Sequence, residues 1–252
     1  MWAITLKDLK LLMRDRRALS LLIALPLALV GILGSASKHM SSPTASDGGP
    51  IDPMRAYAVL VPAYTVMFTF FLVNVMARSI IQEREWGTLR RLRTSPITPF
   101  ALLWGKTIPF WMLSCAQGAV LFLAGRYLFG MPWGSAPWLL IPVLCCTSLA
   151  ATALGLWVAT IAKTESQVSA YSNFVVIVLA GVSGCLVPRG WLPEWLQTAS
   201  LLTPHAWALM AYDQVLRAAQ PQLGWLFACC GVLLGFTLIF FLGGRSRFQE
   251  LR

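Results

Sequence analysis

The stretch Gln82-Glu83-Arg84-Glu85-Trp86-Gly87-Thr88-Leu89-Arg90-Arg91-Leu92-Arg93-Thr94-Ser95-Pro96 is a dense block of charge in a chain of which only 12% is charged. Long apolar runs flank it on both sides, so it reads as a polar excursion between two membrane spans. Its residues suit a short amphipathic helix over 79–95. At about 100° per residue, Ile81, Glu85, Thr88, Leu89 and Leu92 share one arc, while Glu83, Arg84, Arg90 and Arg91 lie outside it. The expectation is a helix that rests its apolar side against the spans and shows Glu83, Arg84, Arg90, Arg91 and Arg93 to the cytoplasm.

Outward from this block the chain is membrane-like. Its 252 residues are 57% hydrophobic, with a mean hydropathy of +0.68. Six apolar runs, 19–36, 56–77, 102–124, 137–162, 167–187 and 225–243, approach the roughly 20 residues that a helix needs to cross a bilayer. The expected fold is an all-α polytopic membrane protein, one transmembrane domain over 1–252. Residues 1–17 precede the first run as an interfacial helix: Trp2, Leu6, Leu9 and Met13 recur at helical spacing among Lys7, Lys10, Arg14, Arg16 and Arg17. Gly34-Ser35-Ala36 is composed like a signal-peptide cleavage site, but the run before it exceeds the 7–15 residues of a signal-peptide core.

A net charge of +10 would suggest nucleic acid in a soluble chain; here the positive-inside rule is the simpler cause. With both termini in the cytoplasm, fifteen of the twenty Lys and Arg residues fall inside; Lys38, Arg55, Arg126, Arg189 and Arg217 fall outside. That asymmetry fits six spans in the cytoplasmic membrane, a lipid-bilayer environment and no nucleic-acid partner. Lys106, near the inner end of the third span, is expected to snorkel. The six cysteines lie in or beside apolar runs without a Cys-x-x-Cys pair, and read as small apolar residues rather than zinc ligands or disulfides.

Two sets of polar residues stand out. The second span carries Tyr64, Thr65, Thr69 and Asn74, and the fifth carries Ser169, Ser172 and Asn173. Polar groups at membrane depth face protein or a water-filled path, so these are candidate translocation residues, with helix-to-helix hydrogen bonding as the alternative. Residues 188–221 are too polar to span, yet hold Trp191, Trp195, Trp207 and Tyr212; they read as an outer re-entrant or interfacial segment. Its acids, Glu194 and Asp213, can face water or a polar substrate.

The run Glu83-Arg84-Glu85-Trp86-Gly87-Thr88-Leu89, with Leu92, Pro96 and the Gly105-Lys106 pair, resembles the signature of type-2 ATP-binding-cassette (ABC) export permeases. The resemblance covers essentially the whole chain. It implies that the inner segment is a coupling helix docking on a separate ATPase through Glu83, Arg84, Glu85, Gly87, Thr88, Leu89, Arg91 and Pro96. Two permeases, expected as a homodimer rather than a heterodimer, would work with two ATPase copies, and spans two and five would lie near the dimer interface where substrate passes. Pro188, Trp191, Pro193, Trp195 and Pro204 would mark a short helical hairpin gating the exit. Arg90 departs from the pattern, since many members carry an acid there, and this alters the local ion pairing and partner surface.

The chain itself is expected to be a transport subunit, neither an enzyme nor a cofactor binder, with ATP and Mg held by the partner. A phosphate-cradling Gly-x-x-x-x-Gly-Lys would need glycine six positions before Lys106, where Phe100 stands. This points to a stand-alone permease exporting a hydrophobic or amphiphilic compound, drug-like or lipid-like, from the cytoplasm or inner leaflet. A non-transporting membrane anchor for such a complex is the first alternative. The remote one is a rhomboid-like intramembrane protease, suggested by Gly181-Val182-Ser183-Gly184 and a later His205; there the serine and histidine must meet at one depth, whereas His205 follows Pro204 in what reads as an outer loop.

Overall fold

The computed structural model describes residues 2–14, 16–37, 53–88 and 99–250. Among them are nine α-helices and no strand: α1 (Trp2–Arg14), α2 (Arg16–Ser37), α3 (Pro53–Glu85), α4 (Pro99–Tyr127), α5 (Leu140–Ile161), α6 (Glu165–Ser183), α7 (Glu194–Ser200), α8 (Pro204–Leu216) and α9 (Leu223–Glu250). Helix is what lipid demands, because a membrane interior offers no water to satisfy backbone N–H and C=O groups. Pro26, Pro62 and Pro109 sit inside α2, α3 and α4 without ending them. The protein is an all-α, multi-pass membrane protein. Five stretches are long and apolar enough to cross: Ala56–Glu85, Ala101–Tyr127, Pro137–Ile161, Glu165–Ser183 and Leu223–Ser246. The first apolar run is helical as well, with Ser20–Ala36 as its shorter apolar part.

Packing divides these helices into an inner and an outer group. In the apolar stretches of α3 and α5, 72% of residues are buried, against 28% in α6 and α9. Val66, Phe70, Val73, Met76, Ala77 and Ile81 of α3 meet Ala150, Ala151, Leu154, Leu156 and Ala159 of α5 in one apolar core, and α9 packs on the other side of α5. The small residues of α5 let α3 approach closely, as association without a hydrophobic driving force requires. Tyr171, Phe174, Ile177 and Val178 of α6 point away from the fold.

The structure corrects two expectations. A separate helix over 79–95 does not form at its start: Ser79–Glu85 are the last turns of α3, and the helix breaks at Trp86-Gly87, where Gly87 has φ +70°. A residue with a Cβ is strained in that conformation, which explains the glycine after two charged turns. His205 is not in an outer loop either. It is fully buried in the first turn of α8, stacked on Phe70 at a ring-centroid distance of 3.8 Å, about midway along α3. The segment 188–221 folds back against α3: after a 3-10 turn at Arg189–Trp191, α7 leads toward that contact, and α8 returns from a tip capped by Thr203, whose hydroxyl accepts from Ala206 N.

The return is locked at its outer end. Gly134 has φ +65°, and a Cβ there would lie 2.1 Å from the carbonyl oxygen of Val215 in α8. Neither the backbone conformation nor the space admits a side chain. Gly134→Ala is expected to cost at least about 1–3 kcal/mol, read as a lowered Tm of the detergent-solubilised protein; an unchanged Tm would show that this contact does not hold α8.

Candidate functional site

At the C-terminal end of α3, four charges from three helices converge. Lys106 Nζ, in the second turn of α4, donates to Asp8 Oδ2 of α1 at 2.8 Å and to Glu83 Oε1 of α3 at 2.5 Å. Lys7 Nζ donates to the same Glu83 oxygen at 2.6 Å and lies 3.2 Å from Asp8 Oδ1. The Asp8 and Lys106 side chains are each 3% exposed, so this is a buried cluster with Lys7 at its open edge. Two acids and two bases cancel, which is the condition for keeping charge out of water. Burial works against the Lys7 ammonium, but its hydrogen bond to Glu83 and the charges of Asp8 and Glu83 outweigh it and hold its pKa above the ordinary 10.5. Thr5 Oγ1 adds a bond to the carbonyl of Gly105 at 3.1 Å, so the Gly105-Lys106 pair fixes α1 twice.

This geometry revises the reading of two residues. Lys106 does not snorkel; it is the centre of the cluster. Glu83 does not face the cytoplasm: it is 6% exposed and turned inward. Arg84 and Glu85 do face out, beside Trp86 at 73% exposure, and Gly87 and Thr88 are half-buried, with Thr88 Oγ1 donating to the carbonyl of Glu83 at 3.0 Å. Leu89, Arg91 and Pro96, with Arg90, Leu92 and Arg93, lie outside the described residues. Asp8 escaped the sequence reading, although an acid one residue from Lys7 on an otherwise basic helix was the available signal.

The second site runs between α3 and α6. Arg78 donates from Nε and Nη2 to Ser169 Oγ, at 3.2 and 2.5 Å. One turn further along both helices, Asn74 Nδ2 approaches Asn173 Oδ1 at 3.5 Å. The helices are antiparallel, so stepping four residues back on α3 and four forward on α6 gives successive rungs on one open face. The candidate pathway residues thus separate. Asn74, Ser169 and Asn173 line this face, whereas Tyr64, Thr65, Thr69 and Ser172 are buried within the protomer. The hydroxyls of Thr65, Thr69 and Ser172 have no hydrogen-bond partner among the described residues. Arg78 had been counted only as a cytoplasmic charge; that its side chain reaches α6 cannot be read from spacing within one helix.

In the segment that folds back on α3, Pro188, Trp191, Pro193 and Trp195 are exposed and Pro204 is buried. Glu194 is open, but Asp213 is engaged by Arg217 at 2.6 Å. A cavity of about 480 Å³ opens among Pro62, Ser183, Arg189, Trp191, Met210 and Asp213. No Ser183–His205 bond exists among the described residues: Ser183 Oγ donates to the carbonyl of Ala180 at 3.2 Å, and both His205 ring nitrogens are without partners. The protease reading fails on this geometry.

Residues 1–216 match the family model described as ABC-2 type transporter. The chain is 26% identical over 181 residues to the linearmycin resistance permease protein LnrN of Bacillus subtilis (strain 168), covering 72% of this chain and 46% of that protein. It is 27% identical over 184 residues to the inner membrane transport permease YhhJ of Escherichia coli (strain K12), covering 69% and 48%. With the probable multidrug ABC transporter permease YbhR of the same strain it shares 26% over 148 residues, covering 58% and 40%. The chain spans about half the length of the curated relatives it matches.

The ion cluster makes a quantitative prediction. Lys106→Met leaves two buried carboxylates facing Lys7 alone and is expected to destabilise the protein by about 3–5 kcal/mol. Adding Asp8→Asn restores charge balance, so the double variant is expected to regain at least about 1 kcal/mol over Lys106→Met. Thermal unfolding of wild type and the two variants checks this; a double variant no more stable than Lys106→Met would mean that the charges are not coupled.

Proposed function

The chain belongs to the ABC-2 type transporter family, a family of membrane transport subunits that implies an ABC ATPase partner, and on that premise we propose that it is the permease of an ATP-driven exporter. It moves a hydrophobic or amphiphilic compound out of the cytoplasm or inner leaflet, with force supplied by a separate ATPase. The observation that carries this reading is the end of α3. Arg84, Glu85 and Trp86 stand exposed beyond a buried ion cluster that ties α3 to α1 and α4.

A push on that tip cannot be absorbed locally, because moving α3 alone would separate buried charges. The tip, α1 and the start of α4 therefore move together. ATP and Mg bind the partner, and closure of two ATPase copies drives the paired tips of two permease copies, shifting access to a path between them. Both termini lie in the cytoplasm, and the membrane is the cytoplasmic one. A homodimer is favoured because the polar rungs of α3 and α6 are left open on the protomer surface, where a lipid contact would be unfavourable. The docking residues are the exposed Arg84 and Glu85 with the half-buried Gly87 and Thr88, joined by Leu89, Arg91 and Pro96 of the signature; Glu83 acts by holding the tip in place. Pro188, Trp191, Pro193, Trp195 and Pro204 form the exit gate. The names of LnrN and YbhR, a resistance permease and a multidrug permease, favour a drug-like or lipid-like cargo.

Arg84→Glu combined with Trp86→Ala removes the exposed anchor and inverts a charge without touching the ion cluster. Stability should stay within about 0.5 kcal/mol of wild type, while affinity for the co-expressed ATPase falls on the order of 10- to 100-fold, as loss of a central tryptophan anchor does. Co-purification and ATP-driven cargo movement in vesicles read the two effects. Intact co-purification would remove the docking reading, and ATPase binding without any cargo movement by the wild type would favour the anchor reading.

A further inference from the structure

We propose that Arg78, with Ser169, Asn74 and Asn173, recognises the acidic headgroup of an amphiphile, a carboxylate or a phosphate. The inference rests on the reading that α3 and α6 line the path, and names the class of molecule that this path accepts.

Arg78 lies inside Ala56–Glu85, the part of α3 apolar enough to cross a membrane. It is seven residues, or about 10 Å, short of Glu85 at the helical rise. Toward the end of such a helix a guanidinium is stabilised by counter-charge or several hydrogen bonds. The described residues supply one oxygen: both donating nitrogens of Arg78 converge on Ser169 Oγ, whose own proton goes to the carbonyl of Glu165 at 3.1 Å. No carboxylate forms an ion pair with Arg78 among the described residues. This contrasts with Lys106, for which the same fold provides two acids. A guanidinium has five N–H donors in a planar fork, so three remain, and the fork matches the two oxygens of a carboxylate or phosphate.

The surroundings extend the match. The Asn74–Asn173 rung, one turn deeper along α3, adds neutral amide donors and acceptors without adding charge. Along α6 the stripe Ser169, Asn173, Ile177 passes from polar to apolar, and Phe174 and Ile177 are 70% and 53% exposed. A molecule with an acid head at Arg78 and an apolar tail along Ile177 and Phe174 would satisfy both halves. If two copies face each other across these helices, two uncompensated guanidiniums share the path, and an anion between them relieves their repulsion.

The test uses the full chain reconstituted in phosphatidylcholine vesicles, without ATPase, and reads energy transfer from tryptophan to a dansyl-labelled undecanoic acid or to its methyl ester. At mildly alkaline pH the wild type should bind the acid at least about tenfold more tightly than the ester, a difference of about 1.4 kcal/mol. Arg78→Gln should bring the two probes within about twofold. Arg78→Lys keeps the charge and loses the fork, so its preference should fall between these values; it carries the test if Arg78→Gln does not fold. Equal affinities in the wild type, or an undiminished preference in either variant, would overturn the proposal.

Adding phosphatidylglycerol to the vesicles separates the two sources of the headgroup. Loss of Arg78-dependent probe binding assigns the site to an anionic lipid, and its persistence assigns it to a free amphiphile; either result supports acid recognition. Because no nucleotide or ATPase is present, a failure of ATP-driven transport would leave this result standing, and the converse holds as well.

Discussion

Buried charge must be balanced where it lies, and the cluster of Lys7, Asp8, Glu83 and Lys106 meets that requirement with groups from three separate helices. None of those helices can shift without exposing its neighbours to an uncompensated charge. Helix α1 is thereby part of the bundle, with Leu6, Leu11 and Met13 left exposed on its far side. The same cluster decides which residues at the tip of α3 are free. Glu83 is consumed by the fold, and Arg84, Glu85 and Trp86 remain exposed. The helix breaks at Gly87, directly beyond them.

From that anchored end, α3 runs through the bundle, packed on α2, α4, α5, α6 and the first turn of α8, with a polar strip left open beside α6. α6 is the least supported of the neighbouring spans, with most of its surface open and its short turn at Lys163-Thr164 fixed mainly by Thr164 accepting from Gln167 N. A deeply packed helix beside a lightly packed one, bridged by Arg78–Ser169 and Asn74–Asn173, is an arrangement in which small relative movements change a polar strip while the core of α3 and α5 stays intact.

Much of this was legible in the sequence, and the reasons differ by feature. The apolar runs, the amphipathic start and the asymmetry of Lys and Arg are one-dimensional signals imposed by the bilayer, and they identified a polytopic helical protein. The Glu83–Leu89 signature with Gly105-Lys106 pointed to the family that the comparison then showed. Helical periodicity misassigned Glu83 because it treats a helix as lying against a uniform apolar surface. The surface beside Glu83 contains Lys106 and Lys7, so the carboxylate is more stable turned inward. His205 was misread because a polar residue after a proline suggests a loop; the segment folds back into the bundle and places the ring against Phe70.

By itself, then, the sequence determined the class of fold, the approximate helical stretches, the location of the charged tip and the kinship, because hydrophobicity, charge bias and a short motif are local properties of the chain. Which charges meet was decided only by the tertiary structure. Lys106 and Asp8 are separated by 98 positions, and Arg78 and Ser169 by 91. No periodicity within one helix can specify such pairs, since they depend on how antiparallel helices register against one another. That register is set by packing, and packing turned Glu83 into a structural ion and Arg78 into an open one.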